Sequence, residues 1–188
     1  MLKQRLGQLD TARIAADGDA VTAAFQRPPK LHRFVNNVPA WIVTAAARVM
    51  RTWDGDAGRI WNDRPDADVL QQRLVAFKGI AQKKAAMAVE ILERDLGVHI
   101  GALNRSDVAI DIHLRRVFLR THLAERDDRD HMIDAARRLH PLRPGELDYP
   151  VWMIGRTWCA AGIPRCIDCP LTRVCPKDIE RAATVSSG

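Results

Sequence analysis

Apolar side chains recur along most of this chain at spacings of three and four residues, the period of an amphipathic helix. Asn36 and Asn37 precede Pro39, and Ile42, Ala45 and Val49 then share one face, which predicts a capped helix start with proline in its first turn. Asp66 reads as the N-cap of DADVLQQRLVAF, whose Val69, Leu70, Leu74 and Phe77 form a stripe. From Gln82 onward Ala85, Ala88, Val89, Leu92 and Leu96 repeat the pattern. Asp111 opens IHLRRVFLRTHL, with Leu114, Val117 and Phe118 on one side and Arg115, Arg116 and Arg120 largely on the other. Further helices are expected from Asp128 to Leu139 and after Pro144 as far as Trp158. No stretch alternates with period two. The pattern predicts an all-α protein of eight or nine short helices joined by tight turns.

Composition narrows the class. The 188 residues are 47% apolar and 28% charged, which suits one globular domain, expected over 1–182 with a flexible tail at 183–188. No apolar run approaches the ~20 residues that span a bilayer, and MLKQRLGQLDTARIAADGD lacks the apolar core of a secretion signal. The expectation is a cytoplasmic protein without a membrane partner. Lys and Arg number 29 against 23 Asp and Glu, a net charge of +6 that suits a polyanionic partner. Basic residues gather in three islands: Lys78, Lys83 and Lys84; Arg115, Arg116 and Arg120; and Arg156, Arg165, Arg173 and Lys177 around the cysteines. Such islands fit either a shared binding face or separate solvated helix surfaces.

All four cysteines lie in CAAGIPRCIDCPLTRVC, so Cys159, Cys166, Cys169 and Cys175 are spaced C-x6-C-x2-C-x5-C. Partners of scattered disulfides would not cluster in this way, and the pattern points to a metal site. Four thiolates suit tetrahedral zinc or a cubane iron–sulfur cluster. Zinc ribbons usually carry two C-x2-C knuckles, and this loop has one. Pro164, Pro170 and Pro176 stiffen it.

Reached through GRTWC and closed by CP, this spacing resembles the iron–sulfur loop of endonuclease III and its relatives, the helix-hairpin-helix DNA glycosylases. The resemblance implies a [4Fe–4S] cluster, with zinc as the alternative, that shapes a basic loop. Arg165, Arg173 and Lys177 would grip phosphates there. FKGIAQKKAAMAVEIL resembles the family's hairpin and following helix, placing that unit at about 66–95 and the cluster loop at 159–176. Gly79, Ile80 and Ala81 would present backbone N–H groups to a phosphate. The family's second hairpin glycine is here Ala81, expected to disfavour a positive φ and loosen that grip by roughly 1 kcal/mol.

In bifunctional members a lysine two residues beyond the hairpin attacks the sugar. By that count it is Lys83, with Lys84 beside it as a second cation and DNA contact; without the resemblance the pair reads as a solvated helix start. AIDIHLRRVFLR resembles the family signature in which an aspartate opens a helix, so Asp111 takes the catalytic carboxylate's place. His113 and Arg116 follow in register, and Ile112 stands where a threonine is usual. Asp111 also reads as a plain N-cap, and both roles are compatible. His113 is expected to be structural or phosphate-facing, and Arg116 to contact DNA.

The resemblance covers Leu2 to Lys177. The long stretch between Lys83 and Asp111 brings it closest to the iron–sulfur cluster loop subgroup. The family's additional N-terminal helices, with their glutamine wedge, have no counterpart, which reads either as a start lying upstream or as a shortened member. The implied activity is base-excision-repair glycosylase with AP lyase on damaged, mispaired or abasic double-stranded DNA. The alternative is a non-catalytic DNA-binding protein of the same fold. The base removed and the oligomeric state are not legible.

Overall fold

The computed structural model describes residues 1–182; the tail expected at 183–188 lies outside them. Among the described residues there are nine α-helices, several short 3-10 turns and no strand. The helices are α1 (Leu2–Leu6), α2 (Thr11–Ala16), α3 (Gly18–Gln26), α4 (Asn37–Thr52), α5 (Ala67–Val75), α6 (Gln82–Arg94), α7 (Ile112–Arg120), α8 (Arg129–Leu139) and α9 (Asp148–Thr157). None is long and apolar enough to cross a membrane. The described residues divide into two compact units, Met1–Asp63 with Arg73–Ile80, and Arg64–Gln72 with the described residues from Ala81 onward.

In the first unit α2 and α3 pack on α4. Their short helices begin where aspartates satisfy free N–H groups: Asp10 accepts from the Arg13 N–H at 2.8 Å and Asp17 from the Ala20 N–H at 2.9 Å. The expected asparagine cap of α4 is not made, because the Asn36 side chain accepts from the Gln26 amide instead. Val21, Phe25, Val49, Ile60, Leu74 and Phe77 of this unit are each buried, a large side chain contributing about 1.5–3 kcal/mol. Trp53 stacks on Phe77 with ring centroids 5.7 Å apart, and the Arg48 guanidinium lies over both rings.

The second unit is organised around α7, which packs against α9. Leu114, Val117 and Phe118 of α7 join Val108, Met132, Ile133, Ala136 and Val151 in one buried cluster. The faces of α6 follow its apolar period, with Ala85, Ala86, Val89 and Leu92 buried. That helix stops at Arg94, so Leu96, expected on the stripe, is largely exposed. The Asp66 side chain accepts from the Ala102 N–H at 2.9 Å and from Arg105 at 2.8 Å, tying down the long segment between α6 and α7.

The expected polar face of α7 is corrected by the structure. Arg116 and Arg120 are 3% and 2% exposed, and only Arg115 reaches the surface, where it pairs with Asp127. A helix packed on both sides leaves no room for a solvated arginine row, so two of the three guanidinium groups turn inward and find backbone carbonyls.

Candidate active site and cysteine loop

Lys83 is the second residue of α6, and Ala81 before it is the N-cap in extended backbone, φ −106° and ψ −179°. Alanine carries no penalty in that region, so the expected cost of losing a second hairpin glycine does not arise. Gly79 does carry the demand for glycine. Its φ is +87°, and a Cβ there would sit 2.6 Å from the Trp41 ring. The Ile80 N–H closes the turn onto the Phe77 carbonyl at 3.1 Å.

Asp111 caps α7. Its Oδ1 accepts from the N–H groups of His113 at 2.8 Å and Leu114 at 2.9 Å. That double anchor fixes the carboxylate and leaves Oδ2 3.3 Å from the Lys83 Nζ. The sequence-predicted amine and acid thus meet. Asp111 is 10% exposed at its side chain while Lys83 is 47% exposed, so the amine stands at the opening and the carboxylate behind it.

The segment leading into Asp111 is held from two sides. The Gln82 side chain donates to the Val108 carbonyl at 2.7 Å and accepts from the Ile110 N–H at 3.3 Å. Asp148, the first residue of α9, accepts from the Ala109 N–H at 2.5 Å through Oδ1. Gln82, the residue before Lys83, and Asp148 at the head of α9 thus position the segment that carries Asp111.

A cavity of about 240 Å³ opens beside the pair, with Lys83 and Asp111 on one wall, Met87, Glu90 and Ile91 along α6, and Asp148, Tyr149 and Trp152 from α9. A second, wider recess shares Lys83, Asp111 and Trp152 and continues past His113 and Arg115. Burial pushes the Asp148 carboxyl up to about 7, against the Ala109 N–H; the charges of Glu90 and Asp111 raise it further and Lys83 lowers it. Burial likewise raises the Glu90 carboxyl, with Arg143 pulling the other way. Gly145 is glycine for space: a Cβ would sit 2.2 Å from Glu90 Oε1.

Sequence reasoning missed Gln82, Glu90, Asp148 and Trp152. Lys83, Met87, Glu90, Ile91 and Arg94 stand at offsets of four, seven, eight and eleven, so α6 periodicity alone could have put Glu90 on the lysine's face. Nothing in the order of residues marks Asp148, which reads as an ordinary acidic residue in a first turn.

The cysteine loop leaves α9. Cys159, Cys166, Cys169 and Cys175 line one small cavity with Arg120, Trp158 and Lys177. Arg120 reaches into it, donating to the carbonyls of Ala160 at 2.7 Å, Ala161 at 3.1 Å and Ile179 at 3.2 Å, with Cys159 Sγ at 3.5 Å. Arg116 donates to the carbonyls of Cys159 at 2.6 Å and Gly155 at 2.7 Å. Arg116 was expected on DNA; its burial removes it from any phosphate and makes it a strut between α7 and the loop. His113 faces Arg116 at 3.0 Å and meets Trp152 edge-on. Arg165, Arg173, Lys177 and Lys84 are exposed. Among the described residues no group of three or more His, Cys, Asp or Glu side chains is gathered to hold a metal ion.

Two solved structures share this arrangement of helices. One is endonuclease III in a non-covalent complex with DNA, 20% identical, covering 96% of this chain and 75% of that one at a TM-score of 0.60. The other is a thermostable thymine-DNA glycosylase, 15% identical, covering 95% and 73% at a TM-score of 0.65. The fold is that of the helix-hairpin-helix DNA glycosylases. No protein-family profile and no curated protein sequence matches the chain. In this fold the amine and the acid stand at the heads of α6 and α7.

Proposed function

We propose that the protein is a DNA glycosylase with AP-lyase activity, acting on double-stranded DNA with a damaged, mispaired or abasic site. The supporting observation is the 3.3 Å approach of Lys83 Nζ to Asp111 Oδ2 at the mouth of a cavity in a glycosylase fold. A base inside a duplex stack is out of reach of such a pair, so the nucleotide must be extruded first. Asp111 then stabilises the positive charge that builds on the sugar as the glycosidic bond breaks and the base leaves with its electron pair. The Lys83 amine forms a bond to C1′; opening of the sugar gives a Schiff base, and β-elimination cleaves the strand 3′ to the site. Gly79, Ile80 and Ala81, with Lys84, Arg165, Arg173 and Lys177, would hold the flanking phosphates.

Cys159, Cys166, Cys169 and Cys175 would hold a [4Fe–4S] cluster. A single zinc ion needs four sulfurs about 2.3 Å from one point, whereas a cubane gives each thiolate its own iron and a wider spread. Four cysteines lining one small cavity supply the four thiolates that such a cluster needs. The buried Arg116 and Arg120 guanidinium groups supply positive charge beside an anionic centre. The bound group would order the loop that carries Arg165 and Arg173.

Strand cleavage under single-turnover conditions tests the reading. Duplexes carrying an abasic site, an oxidised pyrimidine, an adenine opposite oxidised guanine, or a uracil or thymine mispair are incubated with wild type and Lys83→Ala. Cleavage of the abasic duplex that vanishes in the variant is expected. Salt-sensitive binding with neither base release from, nor cleavage of, any substrate would refute it and leave a DNA-binding protein. Iron and acid-labile sulfide near four per chain are expected; zinc alone would refute the cluster.

A further inference from the structure

The wider recess carries a cation that no step above uses. It holds about 390 Å³, and Lys83, Asp111 and Arg115 all line it. The space beside the amine therefore runs on to Arg115, one helical turn past Asp111. The Arg115 N–H donates to the Asp111 carbonyl at 2.9 Å. Side chains four residues apart on a helix share a face, about 6 Å from one another along its axis.

The Arg115 guanidinium is held by one edge. Asp127 accepts from Nε at 2.6 Å and from Nη2, while Nη1 donates to no described residue. An arginine already fixed by a carboxylate has lost much of its side-chain freedom, and it keeps the other end of its planar fork for a second anion. Its side chain is 39% exposed. Arg116 and Arg120, by contrast, are buried and spend their guanidinium groups on backbone carbonyls. On the recess wall two cations, Lys83 and Arg115, stand against one carboxylate, Asp111, which is engaged by the Lys83 amine and by two backbone N–H groups. The Arg115 end of the recess therefore favours an anion.

A nucleotide that reaches Lys83 brings such an anion. Its sugar is joined to phosphates through C3′ and C5′, and these are the only charged groups left on it once the base has gone. A fork of N–H donors suits the unesterified oxygens of a phosphodiester. We propose that Arg115 binds a phosphate directly joined to the reacting sugar and so holds C1′ of the extruded nucleotide against the Lys83 amine. The inference rests on the glycosylase reading above and adds to it a contact on the catalytic recess itself.

The test is binding to duplexes that carry an uncleavable tetrahydrofuran abasic analogue, with the phosphate on its 5′ side, on its 3′ side or on neither replaced by an uncharged methylphosphonate. Wild type should bind one of the two neutralised duplexes about tenfold more weakly, and the side that responds identifies the phosphate. Arg115→Gln should weaken to a similar degree on the fully charged duplex and lower the slope of log affinity against log salt by about one. It should lose nothing further on the neutralised duplex that weakened wild type. A loss in Arg115→Gln that is the same on all three duplexes overturns the proposal, because a general change of charge or fold would act on each alike. Wild-type binding that is indifferent to both replacements overturns it too, with no variant needed. Absence of wild-type binding to any of the three is a different failure: it removes the glycosylase reading, and this contact with it.

Discussion

Arg120→Met is the substitution whose outcome the second unit's architecture fixes most sharply. Methionine matches the stem of arginine in bulk, so the change removes the guanidinium while leaving most of the packing. Three carbonyls lose a charged donor: Ala160 at 2.7 Å, Ala161 at 3.1 Å and Ile179 at 3.2 Å. A hydrogen bond from a charged group contributes about 1.5–3 kcal/mol when its acceptor is left bare, and nearer 1 kcal/mol where water takes over, as it can at the exposed Ala161. Removing a buried cation with no carboxylate among its contacts returns part of that, because desolvation of the charge is relieved. The net expectation is a loss of about 2–4 kcal/mol, a large share of the 5–15 kcal/mol that holds a typical domain. Urea unfolding of the protein as purified, followed by circular dichroism, measures it. Unfolding within about 0.5 kcal/mol of wild type would show that the guanidinium does not tie the loop.

Three further outcomes follow from the same geometry. Asp111→Asn keeps the oxygen that caps α7 and removes the charge facing Lys83, so strand cleavage should fall by about 10²–10³-fold with little change in stability; Asp111→Ala should lose about 1 kcal/mol as well. Equal stability of the two variants in denaturant would contradict the capping role. The raised carboxyl of Asp148 penalises the folded state increasingly as pH climbs from the ordinary aspartate range, near 3.8, to about 7, because the unfolded chain has already released the proton. Asp148→Asn should therefore gain about 2–3 kcal/mol on wild type between pH 5 and pH 8 in urea titrations, and a constant difference would refute the burial argument. Arg173→Ala and Lys177→Ala should each reduce the slope of log affinity against log salt by about one on abasic duplex, while an unchanged slope would take those side chains off the phosphates.

Helix existence was legible over α5 to α9 from the apolar period, and Asp111 and Asp128 cap the helices they were expected to open, whereas the Asp66 side chain expected to cap α5 accepts from Ala102 and Arg105 instead. Helix ends were less so, as Leu96 shows, since an apolar residue past a turn looks the same in a list of letters as one inside it. The Lys83–Asp111 pair could be read because each stands at a helix start with its motif around it. The inward turn of Arg116 and Arg120 could not. Amphipathic reasoning assigns charge to solvent, and only the packing of α7 against α9 and the cysteine loop converts that face into interior. Asp148 was equally hidden, for its burial depends on a segment nearly forty residues away in sequence, the Ala109 N–H. Ala81 went the other way: a penalty inferred from a glycine motif disappears once the backbone is seen to be extended.

Peptide mapping of the borohydride-reduced protein–DNA adduct by mass spectrometry tests the central claim most directly. The sugar fragment should be found on the Lys83 nitrogen, in the peptide that begins α6, and should be absent from the adjacent Lys84. A fragment carried by Lys84, by the N-terminal amine or by no residue at all would contradict the account.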